Sequence, residues 1–91
     1  MDYNKCKTAA EVLRLAQHEN PARRLCELYG WGYLPHLNKL HAERWENHRT
    51  HGSGTGDVIT GVLVWWSREL GVAVTENSVY QLVGDEKQFI G

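Results

Sequence analysis

The sequence predicts an all-α domain, a bundle of four to five short helices. Three observations point there. Apolar residues recur at helical three- and four-residue spacing in successive segments. Helix-start signals stand at Thr8-Ala9-Ala10-Glu11 and Asn20-Pro21, and glycines at 30, 71 and 84 stand where helices would stop. The chain has 91 residues, 42% hydrophobic and 23% charged, which is the size and composition of one soluble domain. That domain is read over residues 1–84, with 85–91 as an irregular tail.

Thr8 and Glu11 form a capping box, and Ala9, Val12, Leu13 and Ala16 fall on one face behind it. Pro21 opens a second helix whose apolar side is Ala22, Leu25, Cys26, Leu28 and Tyr29. Gly30-Trp31-Gly32-Tyr33 reads as a short loop. A third helix runs from Pro35 to about residue 49, with a stripe of Leu34, Leu37, Leu40, His41 and Trp45. Glycines at 52, 54 and 56 mark a flexible hinge. Val58 to Leu70 is the most apolar stretch, and Ile59, Val62, Leu63, Trp66 and Leu70 fit a helix. Its β-branched residues support a competing α+β reading, with Val58–Trp66 as a buried strand. Thr75 caps a last helix carrying Val79, Leu82 and Val83.

Several function classes are excluded or disfavoured. No run of eighteen apolar residues exists, so a membrane-spanning helix is not expected. The polar start, Met1-Asp2-Tyr3-Asn4, has no apolar signal region. Two cysteines without such a region read as free thiols, which points to a cytoplasmic protein. The histidines and cysteines are not spaced as a four-ligand zinc site, so no metal is expected. Gly52-Ser53-Gly54-Thr55-Gly56 lacks the lysine of a phosphate loop, and Asp57 stands where a phosphate would sit. No nucleophile elbow is present. The chain therefore reads as no enzyme and as needing no cofactor.

Binding is what remains. Net charge is −1, divided as +2 over residues 1–51 and −3 over 52–91, and all five histidines lie in the first part. Four tryptophans and four tyrosines exceed what a small helical core needs. Trp31 stands between glycines with no helical stripe to claim it, and Trp65 points away from Trp66. The expected partner-binding residues are Trp31, Tyr33, His41, Arg44, Trp45, His48, Arg49 and Trp65, combining exposed aromatics with a basic, histidine-rich helix. The reading is a small protein-binding regulator, adaptor or inhibitor, with homo-oligomer formation as a variant of it. Phage and mobile-element proteins that block host machinery are one source of chains this small. The alternative is a helix-turn-helix DNA-binding protein using residues 66–83. Its acidic half, without Lys or Arg on the would-be recognition helix, makes nucleic acid the weaker partner. On this reading Trp31→Ala leaves the thermal midpoint within a few degrees and weakens association at least about tenfold, measured by melting and by a binding isotherm.

Overall fold

The first predicted helix forms, and every later element is a strand. The computed structural model describes residues 2–48 and 50–88. Helix α1 spans Ala9–Glu19 and follows a 3₁₀ turn at Tyr3–Lys5. Thr8 Oγ1 accepts the Glu11 amide at 3.2 Å, and the Glu11 carboxylate reaches back to the Lys7 amide at 3.5 Å. These bonds satisfy donors that the first helical turn would otherwise leave without acceptors. Val12, Leu15 and Ala16 form the buried face.

The strands are β1 (Arg24–Tyr29), β2 (Gly32–Leu34), β3 (Lys39–His48), β4 (Gly52–Ile59), β5 (Trp65–Ser67), β6 (Val72–Val74) and β7 (Ser78–Val83). They form one mixed sheet in the order β2-β3-β1-β7-β6-β5, with β4 on β3. β1 and β2 pair with β3 in the same register, Leu28 opposite Trp45 and Tyr33 opposite Leu40. They are one run of chain bent at Gly30–Trp31. β1 also lies parallel to β7, Cys26 opposite Tyr80 and Leu28 opposite Leu82.

The all-α bundle is therefore corrected to a mostly β fold with a single helix and a curled half-barrel. The α+β alternative is corrected too, because Val58–Trp66 is not one strand. Val58 and Ile59 end β4, residues 60–64 cross over, and Trp65 and Trp66 open β5. The misreading has a physical cause. β1 is covered on both sides: Leu25 packs towards the helix, and Cys26 and Leu28 into the curl. Burial in β1 alternates, with Cys26 and Leu28 inside, but apolar Leu25 and Tyr29 on the half-buried face blur that alternation in the sequence and imitate a helical run. In β3, Leu40 and Ala42 are buried while His41 and Glu43 are not, a period of two. The chance spacing of Leu34, Leu37 and Leu40 masks that period.

Two cores result. Tyr3, Val12, Leu15 and Ala16 pack on Val72, Val74 and Val79, so the helix covers one face of β6 and β7. The other face curls around Leu28, Trp31, Leu40, Leu63, Tyr80 and Leu82. The crossover 60–64 straps this curl. Thr60 N donates to Leu40 O at 2.9 Å, Leu63 N to Asn38 O at 2.9 Å, and Val64 N to Val74 O at 2.8 Å. It thus bridges the β3 side to the β6 side and drops Leu63 into the interior.

Arg23, 8% exposed, joins the layers. Its Nη1 donates to Ala16 O at 3.0 Å, Glu19 Oε1 at 3.0 Å and Tyr3 Oη at 3.2 Å. Its Nε donates to Thr75 O at 3.0 Å and Glu76 O at 3.2 Å. Tyr3 Oη also donates to Glu19. The Tyr3 hydrogen bond, then the Arg23 one, holds the Glu19 carboxyl below its ordinary range. Burial, helped by Glu19, pushes the Tyr3 phenol up to about 12.

Replacing Arg23 with methionine strands several buried carbonyls. The expected loss is about 2–4 kcal/mol in chemical denaturation, discounted because Glu19 can rehydrate. Arg23→Lys recovers only part of it, since an ammonium cannot reach in two directions as a guanidinium does.

The pH limbs follow from the same cluster. Glu19 is held charged by the fold, so its contribution is complete above the ordinary carboxyl value of 4.5 and drains away as pH falls below it. Tyr3 is held neutral, so its contribution is complete below pH 10.0 and drains away as pH rises from there towards about 12. Denaturation midpoints across the alkaline range should show that limb in the wild type and a flatter one in Tyr3→Phe.

Candidate binding edge

The structure disperses the predicted site. Trp31 is 4% exposed; its indole N–H donates to Gly84 O at 3.2 Å, and its own carbonyl accepts from Lys87 N at 2.8 Å. The expectation of an uncovered indole is corrected. The glycines beside it let the chain bend and turn the ring inward: Gly30 has φ +60°, and a Cβ there would meet Glu43 Oε2 at 2.9 Å. The segment after Gly84, expected as a loose tail, lies across this bend.

The other aromatics are engaged as well. Trp66 meets Trp31 edge-on at 6.1 Å, stacks with Tyr33 at 4.7 Å and carries the Arg68 guanidinium at 4.5 Å. Arg68 is held there by Glu86 at 2.6 and 3.2 Å. Trp65 stacks on Tyr3 at 5.5 Å and donates to Asn4 Oδ1 at 2.9 Å. Trp45 packs against the inner core and under β4. The surplus of aromatic residues is thus consumed by a two-faced sheet, which needs more large side chains than a helical bundle of this length.

The basic, histidine-rich helix does not exist, because its residues lie in β3. His41 Nε2 contacts Asp57 Oδ1 at 2.9 Å. Arg44 bonds Glu46 at 2.8 Å and lies 4.1 Å over the Tyr29 ring. The Glu27 hydrogen bond raises the Tyr29 phenol above its ordinary value. His48 Nδ1 accepts the Thr50 and His51 amides, each at 3.1 Å, and so organises the turn into β4. Arg49 lies outside the described residues. Residues 66–83 hold β5, β6 and β7, so the expected helix-turn-helix has no recognition helix.

The glycine segment is the larger surprise. It is not a hinge but β4, with glycine at every second position from 52 to 56. Gly54 lies opposite Trp45, and a Cβ there would come within 2.8 Å of the indole Cζ2. Period-two glycine beside a tryptophan-bearing strand was the signal available in the sequence.

β4 is also where the sheet stays open. Among the described strands it pairs with β3 alone. Thr60 N bonds Leu40 O, so by antiparallel alternation the Ile59 N–H and C=O face away from β3. Ile59 is 52% exposed, and in the strap that follows it Val62 is 58% and Val64 55% exposed. Open edges are usually blunted by shortness, lysine or proline. The opposite edge strand, β5, has three residues. β4 has eight, with no lysine, arginine or proline among them, and what bends it is the pair of register shifts against β3, between Ala42 and Arg44 and between Trp45 and His48. No family model, curated protein or solved structure matches the chain, so this edge stands on its own geometry. Among the described residues, no helix is long and apolar enough to cross a membrane.

Gly54→Ala should cost about 1–3 kcal/mol, because the rigid indole of Trp45 must move to admit the methyl. The check is a denaturation midpoint read together with a change in tryptophan emission. Trp31→Ala, against the earlier expectation, should cost about 3–5 kcal/mol, as truncation of a core aromatic does.

Proposed function

We propose that the chain is a small non-enzymatic protein-binding module, acting as a regulator, adaptor or inhibitor, which takes an extended segment of a partner as an added strand on β4. The observation that carries this is the outer edge of β4, which no other described strand pairs and which ends in the exposed Ile59. Strand addition draws its affinity from main-chain hydrogen bonds, and an open edge supplies them ready aligned. The exposed Ile59 at the end of the strand adds a hydrophobic contribution.

Two further observations support a binding role over catalysis. The groove of about 690 Å³ beside α1 is lined by Asp2, Lys5, Cys6, Glu11, Arg14, Leu15 and His18. Both of its carboxylates already serve as caps, Asp2 for the Asn4 amide and Glu11 for the helix start. Cys6 and Cys26 are free thiols, and burial raises both above their ordinary range. Thiols of this kind are poor nucleophiles and fit a reducing, cytoplasmic setting.

Selection of displayed peptides on the folded chain, followed by amide exchange with a selected peptide bound, tests the proposal. The Ile59 amide should gain protection on binding. Ile59→Lys should keep the thermal midpoint within a few degrees, because the side chain is half exposed, and should weaken binding at least about tenfold. Protection appearing on α1 or β5 instead would overturn the assignment of the edge.

A further inference from the structure

We infer that the segment docking on β4 is cationic and apolar in alternation, with an aliphatic side chain against Ile59 and a lysine or arginine two residues away against Asp57. The inference rests on the strand-addition reading and adds the chemistry of the partner.

Asp57 and Ile59 share the outer face of the sheet. They are two residues apart at the end of β4, Asp57 beside the register shift that falls between Thr55 and Val58, and Val58 between them packs towards the inner core. His41 confirms the shared face from across the strand: it pairs with Ile59 and its ring contacts Asp57 Oδ1 at 2.9 Å. An added strand next to β4 would place its own alternate residues beside these two. The Asp57 side chain is 84% exposed, so it presents a hydrated carboxylate at that edge. No lysine or arginine occurs from Thr50 to Ser67, and the exposed Glu43 side chain is already engaged by Lys87. Asp57 is the only ionised side chain that β4 itself carries, and a cation in the added strand gives its carboxylate a second partner besides His41. The partner residue beside Ile59 should be aliphatic, since a polar group there would lose water without gaining a hydrogen bond.

Charge also disfavours a second copy of the chain as the occupant. β4 paired antiparallel with itself about Asp57 or about Val58 sets Asp57 beside another Asp57 or beside Ile59. The first is like-charge contact across strands, and the second buries a carboxylate against an aliphatic side chain.

The test uses the folded wild-type chain and three short synthetic peptides with blocked ends. The first alternates threonine with valine and carries one lysine two residues from a valine. The second has glutamate in place of that lysine. The third is the lysine peptide with alternate backbone amides methylated. By fluorescence anisotropy at neutral pH and low salt, the lysine peptide should bind about three- to tenfold tighter than the glutamate peptide. That ratio should shrink towards unity in about 0.5 M salt and reverse with Asp57→Lys. The methylated peptide should not bind.

Equal binding of the lysine and glutamate peptides, with the methylated one inert, overturns the charge inference and leaves strand addition standing. A methylated peptide that binds as well as its parent, or no binding by any of the three at millimolar concentration, overturns strand addition too. A dimer in sedimentation that Ile59→Lys converts to monomer shows the edge occupied by a second copy, and overturns the inference.

Discussion

One buried guanidinium ties the two layers of this protein together. Arg23 stands at the junction between the end of α1 and the start of β1. It bonds the helix at Ala16 and Glu19, the leading turn at Tyr3, and the carbonyls of Thr75 and Glu76 before β7. The same segments also meet in the core beneath, where Tyr3 and Ala16 pack with Val74 and Val79, and Asn20 Nδ2 donates to the Glu76 carbonyl at 2.9 Å. A charge this deep is tolerated because its donors find acceptors in several directions. Its position also lets β1 leave the helix beside β7, which makes the parallel pair at the middle of the sheet.

From that centre the sheet grows outward and curls, and the curl decides where the large side chains go. The helix covers the face of β6 and β7. Trp31, Leu40, Leu63 and Tyr80 fill the inside of the curl, and the strap at 60–64 draws its two sides together. Closing a short sheet in this way takes bulky aromatics, which is where Trp31, Trp45 and Trp66 are used. It also takes absent side chains: Gly54 makes room for the Trp45 indole on the neighbouring strand.

The open edge is a consequence of this economy. After Ile59 the chain leaves β4 to serve as the strap, so nothing follows to pair with the outer side of β4 among the described strands. Leu63 turns inward from the strap, while Val62 and Val64 on either side of it remain exposed. The device that closes the core thus leaves the outer side of β4 open and two exposed valines on the strap that follows it. Asp57 and His41 on the adjoining face add the polar complement.

The sequence alone determined the helix and its first turn, because a capping box and an i to i−4 ladder are local: Thr8, Glu11, Val12 and Ala16 lie within nine residues. It also carried the chemical inventory of the site, the glycine alternation at 52 to 56 and the β-branched run after it. Whether those residues form a hinge, a helix or a strand depends on partners far away in the chain. Arg24–Tyr29 becomes a strand because Ser78–Val83 lies beside it, more than fifty residues on. Its buried Cys26 and Leu28 alternate with half-buried Leu25 and Tyr29, and apolar residues on both faces leave no clear period in the sequence. The aromatic residues illustrate the same limit. Composition shows that there are many, but only the tertiary structure decided that they face one another and that the open surface belongs to Ile59, Val62 and Val64. Hydrogen bonds of a helix close within a turn, whereas those of a sheet close wherever the rest of the chain delivers a neighbour.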